Sequence, residues 1–275
     1  MRHLDNHVKA VIFDWGGTLV DYGCMAPVEV FIEIFNRKGI EITLKEAREP
    51  MGLEKMDHIR TILNMNRINN MWVEKYNRQP DEQDIHELYG TFEPILLEKL
   101  PQYSEPVPGA INSVNHLKKL GIKIGTTTGY NRKMMEVVAP IADKKGLKVD
   151  SIVTSDEVPK GRPHPWMCYQ NAINLQVYPM SQLVKVGDTV NDIIEGINAG
   201  MWTVGIIKGG SELGLSEDQI KNVESVQLNE SIKSVERKFY EAGADFVIED
   251  INELTDVIDR INDMIETENL QLNKK

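Results

Sequence analysis

The chain has 275 residues, of which 41% are hydrophobic and 27% are charged, a balance typical of a folded globular protein. Its formal net charge of −11 argues against a nucleic-acid-binding protein and against a lysine-rich membrane-surface helix. Two cysteines cannot form a disulfide framework, and no apolar run is typical of a spanning helix or a secretion signal. We therefore expect a cytoplasmic protein without nucleic-acid or membrane partners.

The predicted elements begin with a buried strand at Val11-Ile12-Phe13, which Asp14 and Gly16-Gly17 end in a tight turn. From about residue 27 to 99, apolar residues keep helical spacing, which predicts a block of helices. After Gly109, helices and strands alternate. Helices are predicted at 110–120, 132–145, 166–175, 191–199, 232–242 and 251–265, and strands at 122–126, 151–153, 183–186, 202–206 and 245–248.

This alternation predicts an α/β fold, a doubly wound and mostly parallel sheet with an inserted all-helical cap domain. We set the core at 1–22 and 103–275 and the cap at 23–102. In such a sheet, ligands bind outside the carboxyl ends of the strands. Polar clusters follow four of the predicted strands, at Asp14, 126–129, 160–163 and 187–192.

Three carboxylates of these clusters, Asp14, Asp188 and Asp192, are expected to converge on one small volume. A single aspartate after a strand is as readily a helix N-cap, but four clusters in chain order are hard to explain as caps. Like charges this close need either a shared proton or a divalent cation. Oxygen ligands suit Mg²⁺, which makes it the expected cofactor.

The segment Phe13-Asp14-Trp15-Gly16-Gly17-Thr18-Leu19-Val20-Asp21 resembles the first motif of the haloacid dehalogenase-like superfamily, hydrolases with an aspartate nucleophile and Mg²⁺. Thr128 is similar to its second motif, Arg162 to its basic third motif, and 187–192 to its acidic fourth motif. The resemblance implies that Asp14 is the nucleophile and that Asp14, the backbone carbonyl of Gly16 and Asp188 hold the metal. It implies a supporting role for Asp192, which would ligate through water or orient Asp188.

One position departs from the phosphatases of this superfamily, which carry a second aspartate two residues after the nucleophile for acid–base catalysis. Gly16 stands there and cannot transfer a proton, which would cost a phosphate ester a factor of ~10²–10⁴ in rate. Either the protein is not a catalyst or its leaving group is not an oxygen. A carbon leaving group fits, because a lysine Schiff base supplies the electron sink that an expelled carbanion needs.

Lys55 and His58 lie three residues apart on a predicted cap helix and are therefore neighbours on one face. Partial desolvation in a cleft between cap and sheet would lower the pKa of the lysine. Together with 48–53 and 161–169, they resemble the phosphonoacetaldehyde hydrolase family, in which the matching lysine forms a Schiff base. The family more often has alanine at position 16, and threonine where this chain has Leu19.

The resemblance implies hydrolysis of the P–C bond of phosphonoacetaldehyde to acetaldehyde and phosphate, in 2-aminoethylphosphonate degradation. Lys55 would form the Schiff base, Asp14 the aspartyl phosphate, and His58 would relay protons or fill a polar niche. Residues predicted to bind the substrate or its phosphoryl group, with packing as the alternative for Met51 and Cys24, are Thr128, Gly129, Arg162, Met51 and Cys24.

A homodimer is also implied by the resemblance. Met65, Met71 and Trp72 are expected to be apolar cap surface for the second subunit, and 209–211 is predicted to be a flexible loop. Two alternatives remain open. An oxygen-ester phosphatase or phosphomutase on the same fold would keep its activity without Lys55, and a non-catalytic protein would show no Mg²⁺-dependent turnover.

Overall fold

The computed structural model describes residues 7–272, and within them six strands form one sheet in the order β3-β2-β1-β4-β5-β6. The strands are β1 Ala10–Phe13, β2 Lys123–Thr128, β3 Ser151–Thr154, β4 Leu183–Gly187, β5 Trp202–Ile206 and β6 Phe246–Ile248. Every neighbouring pair is parallel. The order reverses between β1 and β4, and in doubly wound sheets the crevice at that reversal is where ligands bind.

Twelve α-helices accompany the sheet in the described part of the chain. They are α1 Met25–Arg37, α2 Leu44–Arg48, α3 Lys55–Asn64, α4 Asn66–Tyr76, α5 Glu82–Lys99, α6 Ala110–Lys119, α7 Arg132–Lys144, α8 Trp166–Leu175, α9 Val190–Ala199, α10 Glu217–Asn222, α11 Ser225–Glu241 and α12 Leu254–Leu272. The predicted α/β fold with a parallel sheet is confirmed. The sequence analysis missed α10, a short helix with a capping box on Ser216 and without buried residues.

The sheet is covered on both faces because the side chains of β1 alternate between two apolar clusters. Val11 and Phe13 pack in the larger cluster, which also contains residues of α6, α7 and α12. Ala10 and Ile12 pack in a second cluster with residues of α8. All four side chains of β1 are buried, as expected of a central parallel strand.

The helices α1–α5 lie between β1 and β2 in the sequence and pack on one another through aromatic side chains, such as Phe31 on Phe92 at 4.5 Å between ring centroids. The domain boundaries at 22/23 and 102/103 stay a prediction.

The prediction that Trp72 lies on an exposed dimer surface is wrong. Its side chain is 1% exposed and packs against Tyr76 inside this helical block. None of the helices in 7–272 is long and apolar enough to cross a membrane.

Candidate active site

The sheet brings together the three predicted carboxylates at its reversal point. Asp14 directly follows β1, Asp188 directly follows the neighbouring β4, and Asp192 lies in the first turn of α9. One oxygen from each of the three lies within 4.8 Å of the others, and all three side chains are buried. A set of converging carboxylate oxygens is the donor set that hard divalent cations prefer.

Different hydrogen-bond donors orient the carboxylates of Asp188 and Asp192. Thr18 Oγ1 donates to Asp188 Oδ1 at 3.0 Å, and the backbone N–H of Ser211 donates to Asp188 Oδ2 at 2.7 Å. Asp192 accepts from Lys185 Nζ at 2.6 Å and from Thr189 Oγ1 at 2.5 Å. In the described residues, Asp188 is thus oriented by Thr18 and Ser211, with no hydrogen bond to Asp192. The loop at 209–211 is therefore a support of the site, where the sequence analysis predicted only a flexible connection.

A close approach of the backbone makes room for Asp188. Gly17 has φ of +88°, and a Cβ atom there would lie 2.3 Å from Asp188 Oδ2. Only glycine combines this conformation with so short a contact. Gly16 is less confined, since a Cβ atom would lie 3.3 Å from Cys24 Sγ. The turn after β1 therefore tolerates a small side chain at 16 better than at 17.

The ionisable side chains buried around Asp14 include more carboxylates than cations. These side chains are those of Asp14, Asp188, Asp192, Glu195, Arg162 and Lys185. Burial raises the pKa of Asp14, which Arg162 opposes only in part, and burial raises the pKa of Asp188 well above its usual value. Burial acts in the same direction on Asp192, but Arg162 and Lys185 outweigh it and lower its pKa. Four carboxylates face two cations, and a divalent cation would neutralise the excess.

Arg162 is the cation in contact with Asp14. Its Nη2 donates to Asp14 Oδ1 at 2.5 Å and to Thr127 Oγ1 at 2.7 Å, and its Nε donates to Glu195 Oε2 at 2.9 Å. The side chain is 1% exposed, so these contacts are shielded from water. Sequence reasoning missed Glu195 and Lys185, and it placed Thr127 in a strand-end cluster without assigning it a role. A lysine in the middle of the apolar strand Leu183–Gly187 was the one available signal of a buried ionic group.

Lys55 is buried without an ionic partner. It is the first residue of α3, whose N-cap Glu54 accepts from the N–H groups of Met56 and Asp57. The side chain is 4% exposed, and no hydrogen bond or ion pair among the described residues reaches its Nζ. The nitrogen lies 5.1 Å from the centroid of the Tyr130 ring. Burial lowers the pKa of Lys55, and nearby Cys24 and Asp14 oppose this only in part.

The predicted amine and nucleophile line the same cleft. Its lining consists of Asp14, Gly16, Cys24, Met51, Gly52, Lys55, Thr128, Gly129, Tyr130, Arg162 and Thr189. Every residue predicted to contact the substrate is in this set except His58. The sequence analysis did not assign Gly52, Tyr130 or Thr189 to the site.

The segment 51–53 contacts the core beside the cleft. Asn191 Nδ2 donates to the carbonyl of Met51 at 2.7 Å. A Cβ atom on Gly129 would lie 2.5 Å from the carbonyl oxygen of Leu53, so the two backbones touch. Gly52 packs equally closely on Thr189. These contacts hold the start of α3, and therefore Lys55, over the carboxyl edge of the sheet.

His58 lies behind the cleft, not in it. The side chain is fully buried, its ring stacks on Phe31 at 3.8 Å, and Nε2 lies 2.9 Å from the carbonyl oxygen of Ala47. Because a carbonyl can only accept, Nε2 carries the proton of this contact. Burial lowers the pKa of His58 well below its usual value, which favours the neutral ring. The packing role is observed, and the proton relay stays a prediction.

Comparison with known proteins assigns this arrangement to a family. Residues 8–200 match the model of the haloacid dehalogenase-like hydrolases. Over 254 residues the chain is 54% identical to the phosphonoacetaldehyde hydrolase of Bacillus mycoides (strain KBAB4), which covers 92% of this chain and 96% of that protein. The chain belongs to the phosphonoacetaldehyde hydrolase family.

A second curated relative and a solved structure are also similar to this chain. The chain is 54% identical over 254 residues to the bifunctional phosphonoacetaldehyde hydrolase/aminoethylphosphonate transaminase of Clostridioides difficile (strain 630), covering 92% of this chain but 40% of that longer protein. The crystal structure of a phosphonoacetaldehyde hydrolase-like protein from Oleispira antarctica has a TM-score of 0.91 at 39% identity, with 94% of both chains covered. The family predicted from the sequence is confirmed.

Proposed function

We propose that the chain hydrolyses the P–C bond of phosphonoacetaldehyde to acetaldehyde and phosphate, in the degradation of 2-aminoethylphosphonate. The observation that carries this proposal is the buried, unpaired Lys55 in the same cleft as Asp14. Gly16 stands where an ester phosphatase needs an acid, so the cleft suits a leaving group activated by an amine. The names of the relatives support the same reaction.

Lys55 acts first. Its lowered pKa makes the neutral amine more available than in an ordinary lysine. The amine adds to the aldehyde and, with loss of water and uptake of one proton, forms an iminium ion. The Tyr130 ring, which lies 5.1 Å from Nζ, offers its face to the positive charge of that ion. The iminium withdraws electrons from the carbon attached to phosphorus.

Asp14 then attacks phosphorus, and the electron pair of the P–C bond passes into the enamine on Lys55. Arg162 already lies 2.5 Å from Asp14 and stabilises charge on the phosphoryl oxygens. Thr128 Oγ1 accepts from the N–H of Tyr130 at 3.1 Å, which leaves its hydroxyl hydrogen to donate to the same oxygens. Water next releases phosphate from Asp14, while the enamine takes up a proton and hydrolyses to acetaldehyde and free Lys55.

The converging carboxylates fit Mg²⁺, because their oxygens are buried close together. Their negative charge, with that of Glu195, also exceeds the positive charge of Arg162 and Lys185. Asp14, Asp188 and the backbone carbonyl of Gly16 would hold the ion, with Asp192 contributing through water. When bound, Mg²⁺ supplies positive charge beside the transferring phosphoryl group. We further propose a cytoplasmic homodimer, on the family resemblance and the cysteine content.

Turnover with balanced products tests the proposed function. The purified chain with Mg²⁺ and phosphonoacetaldehyde should release acetaldehyde and phosphate in equal amounts, and Lys55→Met should abolish both. Lys144→Met, which changes an exposed lysine of α7, is the matched control and should behave like the unchanged chain. Phosphate release from simple esters that survives Lys55→Met, without P–C cleavage, would favour the phosphatase alternative instead.

A further inference from the structure

A buried carboxylate that the proposed reaction does not use lies behind Arg162. Glu195 on α9 is 0% exposed. Its Oε2 accepts from Arg162 Nε at 2.9 Å and from Thr127 Oγ1 at 3.0 Å, and lies 3.4 Å from Lys185 Nζ. Glu195 follows Asp192 by three residues, so the two carboxylates share one face of the helix, and both contact Arg162.

The two edges of the Arg162 guanidinium have different partners. Nε faces Glu195, and Nη2 faces Asp14. A guanidinium is a rigid planar fork, so a partner that fixes Nε also fixes the direction in which Nη2 points. Thr127 braces the same arrangement, since its hydroxyl donates to Glu195 and accepts from Nη2.

We propose that Glu195 is a positioning residue that aims Arg162 at Asp14 and at the phosphoryl group that Asp14 receives. The inference rests on the proposed function, because it assigns Arg162 to the phosphoryl oxygens. Glu195 acts through Arg162 and does not touch the cleft, whose lining does not include it. Lys185, within reach of both Glu195 and Asp192, partly offsets the negative charge that this arrangement places near an anion site.

A purely electrostatic role of Glu195 and a positioning role predict opposite changes in phosphate binding when the side chain is removed. A carboxylate beside an anion site repels the anion, so if Glu195 acted only through its charge, its removal would strengthen phosphate binding. If it positions Arg162, its removal releases the guanidinium and weakens phosphate binding. Glu195→Ala removes both the charge and the acceptor, whereas Glu195→Gln removes the charge and keeps one acceptor oxygen for Nε.

The probe is inorganic phosphate, titrated calorimetrically in the presence of Mg²⁺ into the full chain. We expect Glu195→Ala to raise the dissociation constant about tenfold or more, the scale of a lost charge-assisted hydrogen bond, and Glu195→Gln to recover part of it. kcat for phosphonoacetaldehyde should fall in the same order, while borohydride trapping at Lys55 continues. Ile193→Ala, which deletes a buried side chain of the same helix, should lower the melting temperature but leave phosphate affinity unchanged.

Phosphate binding by Glu195→Ala that is as tight as or tighter than that of the unchanged chain, or binding by the nearly isosteric Glu195→Gln that is tighter, would overturn the inference. If Glu195→Ala does not fold, Glu195→Gln and Thr127→Val carry the test, and both should weaken binding. The outcome is separable from the proposed function. An unchanged chain that fails to cleave phosphonoacetaldehyde refutes that function, whereas weaker phosphate binding by the Glu195 variants would still support the positioning role.

Discussion

Lys55 and Asp14 come from different parts of the chain, the first residue of α3 and the residue after β1, and yet line one cleft. One side chain offers an amine whose pKa is lowered by burial, and the other offers a carboxylate next to Arg162. A bond between carbon and phosphorus can be activated at both ends by such a pair. This relationship depends on the contacts of 51–53 with the core, which hold the start of α3 over the carboxyl edge of the sheet.

Removing the amine should separate activity from stability. Lys55→Met should reduce turnover of phosphonoacetaldehyde at least a thousandfold (about 4 kcal/mol in the barrier), because the electron sink is lost. Its melting temperature should stay equal or rise, since a buried amine without an ionic partner is replaced by an apolar side chain. Kinetics and thermal unfolding of the same preparation check both; a large fall in melting temperature would contradict the second expectation.

Restoring the missing acid should not help. Gly16→Asp adds a carboxylate to a group that already has an excess of them, and its Cβ atom would lie 3.3 Å from Cys24 Sγ. We expect slower P–C cleavage, because the added negative charge repels the anionic phosphonate. Gly16→Ala is the matched control and should retain most of the activity. Faster cleavage by Gly16→Asp would show that a proton donor, and not an electron sink, is what the site lacks.

Protons should compete with Mg²⁺. Burial raises the pKa of both Asp14 and Asp188 in the metal-free protein, so the two carboxylates hold protons at higher pH than usual. Metal binding must displace these protons, and the affinity for Mg²⁺ should therefore fall as the pH is lowered. Titrations of Mg²⁺ followed by thermal shift at pH 6 and pH 8 check this. Chelation should abolish turnover at either pH, and equal affinities at the two pH values would contradict the assignment.

Asp21, at the start of the inserted helices, should make stability depend on pH. Burial raises its pKa from 3.8 to about 7, although the N–H groups of Met25 and Ala26 donate to it. Between these values the folded chain holds a proton that the unfolded chain releases, so the free energy of unfolding falls as the pH rises through this range. Asp21→Asn cannot ionise and should lack this part of the decline. Denaturant unfolding at pH 5 and pH 8 measures it; identical pH dependence in both proteins would refute it.

Local patterns predicted the position of several elements well. The helix at 166–175 and the strand at 202–206 have the predicted bounds, and the strand-end clusters converge because parallel strands end at one edge. The contacts that the sequence did not predict depend on which residues the fold brings together. The partners of Glu195 follow from the strand order, and the N–H of Ser211 has no side-chain signature. Trp72 was misplaced because helical spacing gives a face but not what covers it.

The most direct measurement is borohydride reduction of the chain during turnover of phosphonoacetaldehyde, followed by peptide mapping by mass spectrometry. The account predicts one reduced two-carbon or phosphonoethyl adduct, located on Lys55, and none in Lys55→Met. Loss of activity should parallel the extent of labelling. An adduct on another lysine, or full turnover without any trapped adduct, would contradict it.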